Sequence, residues 1–120
     1  MAGDIVVRPV GAVRILDDGR QAVEIAPEYA DGLHGIESLE HIWVLYWMHE
    51  LPPAARARLR GHPYGDRARP ERGVFALHSP FRPNPIGMTR VRLLGREGNR
   101  LIVEGLDALD GSPVIDIKSA

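Results

Sequence analysis

Apolar and polar residues alternate along most of this chain, and a period of two with β-branched enrichment predicts strands. DIVVRPVGAVRIL, residues 4–16, reads as a strand with an irregularity at Pro9 and Gly11. DDG at 17–19 is a hairpin signal into a second strand, QAVEIA. PEYADGLHGIESLE holds one or two helical turns broken by Gly32 and Gly35, and a long aromatic strand, HIWVLYWMH, follows. Its alternation sets His41, Trp43, Leu45, Trp47 and His49 on one face, with Ile42, Val44, Tyr46 and Met48 on the other. Both sets are largely apolar, which predicts burial on both sides.

LPPAARARLRG predicts a short helix opened by Pro52 and Pro53 and stopped by Gly61. HPYGDRARPERG is polar and rich in Pro, Gly and Arg, and predicts a mobile loop. GVFALH, MTRVRLLG, RLIVEGL and PVIDIK read as further strands, joined by a proline-rich loop, a turn at 97–99 and the turn DALDGS. Six or seven strands with little helix predict a mostly β fold: one compact β-barrel domain with short helical insertions over residues 1–120. No G-x-G-x-x-G follows a strand and no βαβ alternation occurs, which argues against a Rossmann site; P-loop and G-x-S-x-G signatures are absent too.

Composition narrows this picture. At 120 residues and 44% hydrophobic content, the chain can bury a core without covalent staples. It has no cysteine, which excludes disulfides and thiolate metal sites and suits a reducing compartment. No apolar run is long enough to span a bilayer, so the expected setting is cytoplasmic, without a membrane partner. The net charge of −1 argues against wrapping nucleic acid by bulk charge. Arginines nonetheless crowd residues 56–72, read either as a solvated face or as a local nucleic-acid contact.

The candidate chemistry gathers in three places. HSPFRPNPIG, residues 78–87, carries three prolines, each of which fixes φ and pushes its predecessor to an extended conformation. Such a stiff loop either holds Arg82 and Asn84 ready for a ligand or is a rigid turn between strands. His41 and His49 cannot share a metal, because eight strand residues separate them by about 26 Å. His41 reads as a core or edge histidine; His49, at a strand end before Glu50, reads equally as structural or functional. In DALDGSPVID, Asp107 and Asp110 flank a turn and suit either turn chemistry or ribose hydroxyls and an ammonium group. Asp116, if buried, requires a partner such as Arg82, Arg90 or Lys118.

EYADGLHGIESLEHIWVLYWMH, RGVFALHSPFRPNPIGMTRVRLL and GLDALDGSPVIDIK resemble the three signature blocks of the tRNA adenine-37 N6-methyltransferase family. The likeness runs from residue 28 to 118, and SPFRPNPIG is its most specific string. The resemblance implies a β-barrel that forms a homodimer, binds S-adenosylmethionine near the subunit interface without a metal, and methylates N6 of threonylcarbamoyl-adenosine in the tRNA anticodon loop. It places cofactor contacts on His49, Glu50, His78 and Met88, and on Asp107, Ala108, Leu109 and Asp110. Met88 and Leu109 would cover the adenine while the carboxylates take polar groups. For catalysis, an acceptor such as the Asn84 side-chain oxygen, or a backbone carbonyl freed by the prolines, is assigned to hydrogen-bond the N6 proton and raise electron density on the nitrogen, and Arg82 to hold a phosphate or carboxylate.

The sequence departs from the family in four places. VRILDDGRQAVEIA has a tight turn where relatives carry a proline- and glutamine-containing segment, and His78 stands where an arginine is common. The last block reads DIKSA without the usual proline and tyrosine, and the C-terminal RNA-binding domain of longer members is not expected. A barrel acting on another small acceptor, and a non-enzymatic cofactor-binding or interaction protein, are the two alternative functions.

Overall fold

The computed structural model describes residues 3–120. Six strands close into an antiparallel barrel: β1 (Gly11–Ile15), β2 (Gln21–Ile25), β3 (His41–Trp47), β6 (Ile86–Glu97), β7 (Arg100–Glu104) and β8 (Pro113–Ser119), in the order β1-β2-β7-β6-β3-β8. Two short strands, β4 (Arg60–Gly61) and β5 (Arg72–Gly73), pair outside it. Among the described residues, helical structure is confined to 3-10 turns, including Pro27–Leu33, Pro53–Ala57 and Val74–Ala76.

Period-two patterning selects the inward face. Val13, Val23, Ile42, Val44, Val91, Leu101 and Val114 are almost wholly buried in one cluster. Each such aliphatic side chain contributes about 1.5–3 kcal/mol when taken out of water. The predicted alternation of β3 holds, with Ile42, Val44 and Tyr46 inward. The expected burial of both faces does not, because the barrel has a single layer and His41, Trp43, Leu45 and Trp47 stay partly exposed on its outside.

Closure occurs where Gly11 and Ala12 of β1 pair with Val114 and Pro113 of β8. On its other side, a Cβ at Gly11 would lie 2.0 Å from the Glu24 carbonyl oxygen of β2, so glycine alone permits the close pairing of β1 with β2 there. That is the irregularity legible in the sequence, but the strand does not extend back to residue 4. Pro9 has no N–H for a ladder. Ile5 and Val6 lie outside the barrel, 89% and 78% exposed.

Residues 48–85 form the other departure. GVFALH is not a strand: the Leu77 N–H returns to the Val74 carbonyl, closing a turn, and only Val74 is buried. The Arg-rich segment is clasped by β4 and β5 at its two ends. The helix expected in LPPAARARLRG is a single 3-10 segment, after which Arg60 and Gly61 enter β4.

Candidate functional site

One cavity of about 1030 Å³ lies between the ends of β3 and β6, the proline loop and the loop that precedes β8. Its volume is at the upper end of the range of small-molecule sites. Leu45, Tyr46, Gly87, Met88 and Thr89 supply the barrel side. Tyr46 pairs with Gly87 across β3 and β6, and its ring lies over the glycine, where a Cβ would come within 2.3 Å. Gly87 is therefore required by a side chain, and its φ is not positive.

The buried Tyr46 hydroxyl bonds Thr89 Oγ1 at 3.1 Å and donates to the Asp107 carbonyl. Burial raises the Tyr46 pKa above its ordinary value, against the opposing effect of the Thr89 bond. These contacts fix the start of the 107–110 loop from the barrel interior. Gln21 fixes it from β2: its Oε1 accepts from the Gly105 and Leu106 N–H groups at 3.1 and 3.0 Å, and its Nε2 donates to the Leu106 carbonyl at 2.6 Å. At the far end, buried Ser112 donates its hydroxyl to the Leu109 carbonyl at 2.7 Å.

The opposite wall is held by guanidinium groups. Arg82 Nη1 donates to the carbonyls of Leu77 and Ser79 at 2.9 and 3.0 Å, and Nη2 donates to that of Val74 at 2.8 Å. Its fork is thus occupied in folding the proline loop back on the preceding turn. Arg56 lies over the Trp47 ring, 5.3 Å from its centroid, and donates from Nε to the Pro83 carbonyl at 2.7 Å. Its Nη2 reaches Asn84 Oδ1 at 3.3 Å.

Nine of the ten residues named from the sequence line this cavity: His49, Glu50, His78, Arg82, Asn84, Met88, Asp107, Ala108 and Leu109. His49 Nε2 is 3.7 Å from Glu50 Oε1. Asp110 does not line it; its Oδ1 accepts the Ile15 N–H at 2.8 Å and ties the loop to the end of β1. Asp116 is exposed, with Lys118 Nζ 3.9 Å away and the Ile117 N–H bonded to its Oδ1 at 2.9 Å, so no buried charge needs a partner there. Gln21, Tyr46 and Arg56, which shape the site, escaped the sequence reading. Tyr46 is a core position by alternation, and it is the pairing of β2 with β7, with Gln21 opposite Val103, that brings Gln21 to residues 105–106.

The lining suits a molecule with both apolar and charged parts. Leu45, Met88 and Leu109 offer apolar surface, while Glu50 and Asp107 offer carboxylates to hydroxyls or an ammonium group. Among the described residues, no group of three or more His, Asp or Glu side chains is placed to hold a metal ion.

Comparison with known proteins agrees. The tRNA-methyltransferase O N-terminal domain matches residues 11–119. An S-adenosyl-L-methionine-binding protein of Archaeoglobus fulgidus is 48% identical over 95% of this chain and 88% of its own length. A probable S-adenosyl-L-methionine-binding protein of Methanothermobacter thermautotrophicus is 45% identical over 96% and 89%. A crystal structure of TrmO superposes with a TM-score of 0.75 at 32% identity, covering all of this chain and 57% of the TrmO chain, so this protein spans little more than half of that relative. The chain belongs to the tRNA-methyltransferase O N-terminal domain family.

Proposed function

We propose that the cavity between β3, β6 and the proline loop binds S-adenosylmethionine, and that the protein is a methyltransferase acting on N6 of threonylcarbamoyl-adenosine at position 37 of tRNA. The observation that carries this reading is the meeting of nine residues, from three separate regions of the sequence (49–50, 78–88 and 107–109), on one cavity with apolar and acidic parts. His49, Glu50, His78, Met88, Asp107, Ala108 and Leu109 are its cofactor contacts, with Met88 and Leu109 against the adenine. Asp110 acts one step back, by fixing the loop. Bound S-adenosylmethionine supplies an electrophilic methyl group, whose sulfonium sulfur takes the bonding pair and leaves as a thioether.

The protein's own task is alignment and one hydrogen bond to the reacting N–H. Asn84 Oδ1, presented by the stiff loop, accepts the hydrogen bond from the N6–H as its nitrogen forms the new bond to carbon, and the proton passes to water. The long 3.3 Å bond from Arg56 leaves that oxygen with lone-pair capacity. Arg82 is a positioning residue on this reading, since its Nη atoms already serve three carbonyls. A homodimer, which the family resemblance implies, is part of this reading.

Calorimetric titration with S-adenosylmethionine and S-adenosylhomocysteine, with oligomeric state recorded on the same sample, tests the cofactor assignment. Saturable binding of both is expected; no binding at millimolar ligand refutes it. Methylation of anticodon stem-loop RNA bearing the modified adenosine then tests the acceptor. Asn84→Ala should lower turnover at saturating cofactor about tenfold or more without changing cofactor affinity. Unchanged turnover removes Asn84 from the mechanism.

A further inference from the structure

A second concavity of about 760 Å³ adjoins the first, and Leu77, His78 and Pro80 line both. Its outer wall is the segment clasped by β4 and β5. Residues 56–72 contain six arginines against Asp66 and Glu71, in a protein whose net charge is −1. Arg60 pairs with Glu71 and Arg69 with Asp66, which consumes both carboxylates. Arg58, Arg67 and Arg72 line the concavity and take part in no ion pair among the described residues.

Aromatic rings stand among these charges. Tyr64 is 93% exposed, and Arg69 lies over its ring at 5.0 Å. Its backbone is left-handed, with φ at 56°, a conformation that a bulky residue adopts only against a steric cost. The ring gains no burial in return. Holding a bare aromatic side chain outward on a strained turn is what a stacking platform requires and what a merely soluble loop avoids. Phe75 is also exposed, at 83%, and Phe81 lies under Arg58 at 5.3 Å.

We infer that this face binds single-stranded RNA, with an unstacked base on Tyr64 and phosphates on Arg58, Arg67 and Arg72, and that it leads the strand over His78 into the reaction cavity. The inference rests on the proposed methyltransferase reading and adds the surface that presents its substrate. Excess positive charge fits a polyanion. Open aromatic faces fit bases that are not paired, because a duplex keeps its bases stacked inside. An acidic protein segment would satisfy the arginines and leave Tyr64 without a purpose.

The test uses fluorescence anisotropy of the full chain with a labelled anticodon stem-loop RNA across a salt series, alongside calorimetry with S-adenosylmethionine. Tyr64→Gly removes the ring at a position whose φ glycine accepts freely, so the fold is retained. RNA affinity should fall about five- to a hundredfold, with cofactor affinity unchanged. Arg67→Gln and Arg72→Gln should each weaken binding and lower the salt slope by about 0.7. Unaltered RNA affinity in Tyr64→Gly and in the arginine double variant overturns the inference, even if the protein methylates RNA. So does wild-type protein that binds no RNA at low salt, or that binds an acidic peptide equally well. Cofactor binding that fails while the RNA results stand overturns the methyltransferase reading and leaves this surface intact.

Discussion

The two walls of the cavity are built on different principles. On one side, β3 and β6 run together over seven paired positions from His41 and Arg92 to Trp47 and Ile86, and a regular ladder sets every residue. On the other, residues 48–85 contain only 3-10 turns and two-residue strands, and two arginines replace the ladder. A ladder distributes its hydrogen bonds over many residues, so single side chains matter there mainly through packing. A guanidinium concentrates several bonds in one residue. The barrel wall should therefore fail by steric intrusion, and the loop wall by loss of one donor.

The largest effect is expected from Gly87→Ala. The added methyl would lie 2.3–2.8 Å from the ring carbons and hydroxyl of buried Tyr46, whose position the paired strands fix. Overpacking of this kind costs about 2–3 kcal/mol. Chemical denaturation should show a lower midpoint at unchanged slope. A variant as stable as wild type would mean that the barrel wall yields as readily as the loop.

Arg82→Lys comes next. An ammonium replaces a planar fork and cannot reach the carbonyls of Leu77, Ser79 and Val74 together. Two partly buried carbonyls lose their donor, at a cost of about 1–2 kcal/mol. Affinity for S-adenosylmethionine should fall about tenfold, since His78, one of the proposed cofactor contacts, lines the cavity on this same loop. Equal affinity in Arg82→Lys and wild type would show that the prolines alone hold the loop.

This division also explains what the sequence discloses. Alternation found all six barrel strands, because each buries one face, and period-two patterning reports burial directly. It misread GVFALH, where Phe75 and Ala76 are exposed and the apparent strand is a turn shaped by Arg82. It also overextended the first strand, whose residues before Val10 have apolar character but no neighbouring strand to pair with. The site was legible where it coincides with strand ends and turns. Gln21 and Tyr46 were not, since their partners are 85 and 61 residues away and only the tertiary pairing reveals them.

Tyr46→Phe sharpens the barrel side at a smaller scale. It removes the bonds to Thr89 Oγ1 and the Asp107 carbonyl while keeping the ring over Gly87. A loss of about 1 kcal/mol is expected at neutral pH. Because burial raises the Tyr46 pKa in the folded state, the unfolded chain loses its proton first as pH climbs past about 10. The stabilisation is present below that pH and lost above it. Wild-type stability should therefore fall more steeply than that of Tyr46→Phe in alkali, and parallel curves would place the hydroxyl in water.

Arg56→Lys should have the smallest effect on stability, about 0.5 kcal/mol, because the side chain is exposed and its stacking on Trp47 is worth little in water. Its consequence lies elsewhere. The Nε bond to the Pro83 carbonyl and the Nη2 contact with Asn84 Oδ1 come from one rigid plane, which sets the amide's direction as well as its distance. Lysine reaches one of these acceptors at a time. Turnover at saturating cofactor should drop about threefold to tenfold while cofactor affinity stays the same, the reverse of the pattern expected for Arg82→Lys. If both arginine variants instead lose cofactor affinity in parallel, the loop moves as a single body and Asn84 has no orientation of its own to lose.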